Sequence, residues 1–147
     1  MYRKILIATD GSAISRKAVK HGIALAKQLG AKVVGFFSPE DYRLMFYPEV
    51  VTPLVAAEQE FEELSQKAAT KRLSPVEKAA NAAGVGYEGW YAASIVPWQA
   101  IIDVAREKKC DLIVMGSHGR GGLAGVVLGS QTAKVLTHSK IPVLVTR

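Results

Sequence analysis

Short apolar runs alternate along this chain with stretches of helical periodicity, and no other feature of the sequence narrows the fold as far. Residues 4–9 (KILIAT) are apolar, biased towards β-branched side chains and closed by Asp10 and Gly11, the pattern of a buried strand. Ser12 is placed to cap a helix reaching Leu29, along which Ala18, Val19, Gly22, Ile23, Leu25, Ala26 and Leu29 recur at near-helical spacing before Gly30 stops it. Residues 32–38 (KVVGFFS) read as a second strand. Residues 39–53 then carry Tyr42, Leu44, Met45, Phe46 and Tyr47, either a segment folding over a pocket or a partner surface or a local cluster packed on the sheet edge. Helical periodicity returns over 54–83, with Leu54, Phe61, Leu64, Ala68 and Leu73 on or near one face. Inside it, Ser74-Pro75-Val76-Glu77 has the form of a capping box with proline at the first helical position, which predicts a break at Ser74 and two helical pieces. Gly84 ends the second piece.

Residues 85–92 form a third strand, more polar and interrupted by two glycines, as suits a sheet edge. Pro97 opens a helix carrying Trp98, Ile101, Ile102, Val104 and Ala105. Residues 111–115 (DLIVM) are the cleanest buried strand, a helix is expected over 129–137, and 142–145 (PVLV) close the pattern. Five strands with helices between them make βαβ alternation, hence an α/β fold with a doubly wound parallel sheet and helices on both faces.

With 147 residues, 49% of them hydrophobic, residues 1–147 are expected to form a single domain with its own core. The lone cysteine, Cys110, has no disulfide partner within the chain and reads as a small buried residue. No apolar run approaches the roughly 18 residues of a membrane span, and the first apolar run meets Asp10 too soon for a signal peptide. A soluble, cytoplasmic domain is the expectation, without membrane insertion. The charge is +6, from 19 Lys+Arg against 13 Asp+Glu, yet no run of more than two basic residues occurs, which argues against nucleic acid. After Asp111 there is no carboxylate side chain at all, while Arg120, Lys134, Lys140 and Arg147 remain. That quarter of the chain suits an anionic ligand, or is simply a neutral-to-basic surface.

Residues 116–129 hold six of the chain's 13 glycines, where the fourth strand hands over to a helix. The carboxyl end of a parallel strand is where open α/β sheets bind ligands, and a helix N-terminus there offers free N–H groups to an anion. Glycine lets the backbone approach a phosphate and adopt positive φ, so successive N–H groups converge. Ser117, Ser130 and Thr132 add hydroxyl donors, and the loop reads as a phosphate cradle. No glycine is followed by Lys and a hydroxyl residue, so a Walker A loop is out. Gly119-Arg120-Gly121-Gly122-Leu123-Ala124 fits a dinucleotide fingerprint by accident, because no ribose-binding acid follows it. The remaining pattern is Gly116-x-x-Gly119, nine residues, then Gly129-Ser130.

That pattern resembles the ATP-binding motif of the universal stress protein family. The similarity extends to the opening strand and turn (residues 4–12), to residues 105–120 and to the closing strand (141–145), with 39–74 the least diagnostic region. The resemblance implies a sheet in the order 3-2-1-4-5, ATP held across the ends of strands one and four with Mg on its phosphates, and a homodimer. Gly116, Gly119, Gly129 and Ser130 would hold the phosphates, and Gln131 and Thr132 would add contacts at the helix start. Ala8, Thr9 and Met115 would line the nucleotide cleft, with Asp10 by the ribose or a metal–phosphate group and Phe37 at the adenine. Phe37 departs from the family's smaller aliphatic residue, so its ring either stacks on the base or crowds it. Residues 93–98 depart again, placing bulk and Trp98 where many relatives carry a shorter Gly-x-Pro turn.

Some residues keep two readings. Asp10 either serves a ligand or caps the following helix. His118 either donates to phosphate or is a solvent-exposed loop histidine without a role, and Arg120 either contacts phosphate or points to solvent. His21 and His138 read as isolated and structural. Three functions are open: an ATP-binding regulatory protein whose nucleotide state modulates a partner protein, a nucleotide-free dimeric module with Phe37 and Trp98 filling the pocket, and a slow ATPase or adenylyl-transfer enzyme. The enzyme is disfavoured, because Asp10 and His118 are the only nearby catalytic candidates and neither has an identifiable partner. The strand carrying Pro142, Val143, Leu144 and Val145 is expected at an exposed sheet edge, where it pairs with its copy across a two-fold axis.

Overall fold

The alternation resolves into β1 (Lys4–Ala8), α1 (Ala13–Leu29), β2 (Lys32–Phe37), α2 (Leu54–Ala83), β3 (Tyr87–Tyr91), α3 (Pro97–Glu107), β4 (Leu112–Gly116), α4 (Ser130–His138) and β5 (Val143–Thr146). The computed structural model describes residues 1–41, 54–119, 125 and 127–147, and of 54–57 the backbone. Tyr42, Leu44, Met45, Phe46 and Tyr47 lie outside the described residues, as does Arg120.

All four strand pairings are parallel, in the order β3-β2-β1-β4-β5. The chain therefore builds outward from β1 to β3, then returns to the other side of β1 for β4. The direction of winding reverses between β1 and β4, which opens a crevice above their carboxyl ends. Register is set from the opposite end. Asp111, just before β4, accepts from the backbone N–H groups of Arg3 (2.8 Å) and Lys4 (3.1 Å), clamping the start of β1 beside the start of β4.

Strand residues alternate between two cores. Ile5, Ile7, Val33, Leu112 and Val114 pack against Ala18, Val19, Ile23 and Ala26 of α1 and Val76 and Ala80 of α2. Leu6, Val34, Phe36, Ile113 and Met115 pack against Ile101, Ile102, Val104 and Ala105 of α3 and Val135 of α4. Cys110 is buried in the second core, and burial pushes its thiol up to about 11, so it is a packing residue. Gly30 closes α1 in the left-handed region, φ 65°, as the spacing predicts.

The break expected at Ser74 does not form. α2 runs unbroken from Leu54 to Ala83 with Pro75 inside it. An interior proline removes one helical hydrogen bond and costs about 3 kcal/mol. The buried stripe of Ala69, Leu73, Val76 and Ala80 continues through that point at helical spacing, and its packing holds both halves in line.

Candidate functional site

Above the carboxyl ends of β2, β1 and β4 lies a cleft of about 780 Å³. Twelve of the fourteen residues singled out for the nucleotide line it: Ala8, Thr9 and Asp10 from β1, Phe37 from β2, Met115, Gly116, His118 and Gly119 at the exit of β4, and Gly129, Ser130, Gln131 and Thr132 at the start of α4. Arg120 lies outside the described residues. Ser117 does not line the cleft: it is buried, its hydroxyl sits 3.1 Å from His118 Nδ1, and its backbone N–H donates to Thr146 O (2.7 Å).

The motif glycines are demanded by close approach rather than by φ. Gly116, Gly119 and Gly129 are absent from the positive-φ glycines, contrary to the conformation expected of the cradle. A Cβ at Gly116 would stand 2.6 Å from Ile14 Cγ2, and one at Gly129 would stand 2.9 Å from His118 Cα. One at Gly119 would collide with Asp10 Oδ2. The β4 exit is thus pressed against Ile14 of α1, the Asp10 side chain and the start of α4, with no volume for a side chain at the three glycines.

The β1 turn is held by its own side chains. Thr9 Oγ1 accepts from Gly11 N–H (3.2 Å) and Asp10 Oδ1 from Ser12 N–H (2.9 Å). Ser12 Oγ then accepts from Ser15 N–H (3.2 Å), capping α1. Asp10 therefore holds the turn before α1 through one oxygen but does not cap the helix, a role that falls to Ser12, and its carboxylate also borders the cleft.

The start of α4 has no such provision. Its cap residue is Gly129, whose N–H donates to Ser117 O (2.7 Å), and no side chain caps the helix. Among the described residues, the backbone N–H groups of Ser130, Gln131 and Thr132 have no acceptor. Thr132 spends its hydroxyl on Gly116 O (2.8 Å). Gln131 spends its side-chain carbonyl on the N–H of Trp98 (3.0 Å), capping α3, whose own cap residue Val96 has no side chain to do so. The residues of α4 that line the cleft thus carry these three amides, the Ser130 hydroxyl and the positive end of the helix dipole.

His118 is half-buried rather than solvent-exposed. Trp98 does not line the cleft; its ring stacks on His138 at 4.6 Å between centroids, so that histidine is not isolated. Phe37 does line the cleft. Among the described residues, no three His, Cys, Asp or Glu side chains gather to hold a metal, and no helix is long and apolar enough to cross a membrane.

The sequence reading missed the far wall. Phe61, Leu64, Ser65, Ala68 and Arg72 of α2 line the cleft, at spacings of three and four residues. Leu64 stays 60% exposed there. The signal was present in the helical spacing, but one apolar stripe was read where α2 carries two, one on the sheet and one on the cleft.

This architecture recurs among known proteins. The universal stress protein family matches residues 1–147. The universal stress protein MJ0531 of Methanocaldococcus jannaschii is 35% identical over 147 residues, covering 100% of this chain and 83% of that protein. The universal stress protein YxiE of Bacillus subtilis is 33% identical over 151 residues, with 100% of each chain covered. Among solved structures, MJ0577 superposes with a TM-score of 0.83 at 28% identity, over 99% of this chain and 96% of its own. A universal stress protein in complex with cAMP superposes with a TM-score of 0.70 at 27% identity, over 99% and 97%. From its opening strand to its closing one, this chain belongs to the universal stress protein family.

Proposed function

We propose that the cleft binds an adenine nucleotide, ATP, as a regulatory ligand rather than a substrate. The observation that carries this reading is the open start of α4: at the cleft stand a helix dipole and three backbone N–H groups with no acceptor among the described residues. The phosphates would rest on Ser130, Gln131 and Thr132, over the backbone that Gly116, Gly119 and Gly129 keep thin. Phe36, Phe37 and Met115 supply an apolar face for the base, and Mg enters with the phosphates beside Asp10. The cAMP complex of the 27% identical relative supports the class of ligand. Binding without turnover is supported by Asp10 and His118. Asp10 directs one oxygen to Ser12 N–H and His118 Nδ1 lies beside the Ser117 hydroxyl, so among the described residues no carboxylate orients the histidine as a base.

The protein acts as a homodimer in this reading, and nucleotide state alters what the dimer binds. β5 is the last strand of the sheet order, and Leu144 is 38% exposed on it. An edge of this kind, carrying Pro142, Val143, Leu144 and Val145, pairs with its copy. Leu144→Asp is expected to give monomers by light scattering, and an unchanged dimer would place the interface elsewhere.

The test of the ligand is direct. Purified protein is denatured, the released small molecules are identified by mass spectrometry, and the emptied, refolded protein is titrated with ATP and Mg. Recovered or rebound ATP supports the cradle. No released nucleotide and no binding at millimolar ATP would leave a nucleotide-free interaction module.

A further inference from the structure

Of the described residues lining the cleft, Arg72 is the one that carries a fixed positive charge. It comes from α2, an element with no part in the glycine-rich loop, four residues after the cleft-lining Ala68 and on the same helix face. Its neighbour Leu73 goes down into the core. The guanidinium lies over the turn that follows β1: a Cβ at Gly11 would stand 2.5 Å from Arg72 Nη1 and 2.9 Å from its Cδ. Gly11, at φ 79°, leaves that space open. Among the described residues no carboxylate pairs with Arg72. The acidic side chains on the cleft are Asp10 and Glu40, and Asp10 directs one oxygen to Ser12 N–H.

The turn under Arg72 and the loop feeding α4 are in contact, because Gly119 abuts the Asp10 carboxylate and β1 is paired with β4. Adjacent strands lie only about 4.8 Å apart. A phosphate chain laid across those two strand ends meets the α4 amides from one face of the sheet and the α2 guanidinium from the other. We propose that Arg72 is the residue through which the cleft selects phosphorylated nucleotides, contacting the phosphate chain opposite α4. The proposal rests on the adenine-nucleotide reading and adds to it a residue from outside the motif. A guanidinium suits the task, since its planar donors bond a phosphate in pairs, and its charge offsets repulsion between the phosphates and the two carboxylates.

The experiment is calorimetric titration of the wild-type protein, Arg72→Met, Arg72→Gln and Arg72→Lys with ATP and, separately, with adenosine. Two neutral variants are used so that a packing defect in one does not decide the result. The Met and Gln variants are expected to lose about tenfold or more in ATP affinity, the scale of one charge-assisted contact, while adenosine binding stays within about twofold. The Lys variant recovers part of the loss, having the charge without the paired donors. Parallel loss for ATP and adenosine would make Arg72 a packing residue, and unchanged ATP affinity would put it in solvent; either overturns the proposal alone. A wild-type protein that binds neither ligand would overturn the proposal together with the reading beneath it.

Discussion

α1 and α4 begin at the same end of the sheet, each after one of two neighbouring strands, and of the two only α1 carries a side-chain cap. At α1 the Thr9 hydroxyl, the Asp10 carboxylate and the Ser12 hydroxyl each accept a backbone N–H, and Arg16 donates to Gly11 O at 2.8 Å. At α4 the cap is a glycine, and the two polar side chains best placed to help, Gln131 and Thr132, are bonded to α3 and to β4. Neither helix carries an acid in its first turn, but the Asp10 carboxylate stands just before α1 and nothing comparable stands before α4 among the described residues. Ser12 takes one first-turn donor of α1, the Ser15 N–H, while those of Ala13 and Ile14 have no acceptor among the described residues, so α1 is a helix end partly capped by its own sequence. One whose donors are left over in a cleft holds a net positive potential that an anion stabilises.

Two substitutions break the α4 side of this contrast, by different means. Gly129→Val has the largest expected effect. Its Cβ would sit 2.9 Å from His118 Cα and 3.3 Å from Ser117 O, backbone atoms that cannot rotate away. Overpacking of this kind costs about 1–3 kcal/mol, so the denaturation midpoint falls and ATP binding is lost with the loop. Ser130→Asp separates binding from folding. The serine is exposed at the first position of α4, where a carboxylate complements the dipole and adds about 0.3–1 kcal/mol to stability. The same charge repels a phosphate, so ATP affinity falls about tenfold or more while the thermal midpoint holds or rises. If ATP affinity is unchanged while the fold holds, the open N-terminus is not the phosphate site.

How much of this was legible follows the same division. The strands, the caps of α1 and the closing glycine Gly30 were readable because local chemistry decides them: Ser12 needs only Ser15 to act. The glycine-rich loop after β4 was readable as a place of close packing, which leaves a mark, glycine, even though the reason proved to be neighbours such as Ile14 and His118 rather than positive φ. Pro75 misled because its local rule is strong and the opposing term, a buried stripe from Ala69 to Ala80, belongs to tertiary packing. Arg72 was invisible for a related reason. Nothing in the sequence of α2 shows that the β1 turn passes beneath it, since that contact joins residues 61 positions apart. Gln131 was read as facing the ligand, and its partner Trp98 lies on another helix, beyond any local pattern.

The smallest expected effect sharpens the comparison from the α1 side. Ser12→Ala removes the acceptor of the Ser15 N–H and with it the cap, at a cost of about 1 kcal/mol. The loss is tempered, because Asp10 still holds Ser12 N–H and Ser15 Oγ still donates to Ser12 O at 3.0 Å. Removing the cap leaves the Ser15 N–H without its acceptor, so that, among the described residues, α1 has three open first-turn donors as α4 has. If open amides alone made a phosphate site, the variant would gain affinity for ATP. The cleft, though, is bounded on this side by Thr9, Asp10 and Ser15, where the Asp10 carboxylate disfavours an anion. ATP affinity is therefore expected to stay within about twofold of wild type while the urea midpoint drops. A gain in affinity would mean that the two helix ends differ in capping alone, and that the glycine-lined approach to α4 adds nothing to selectivity.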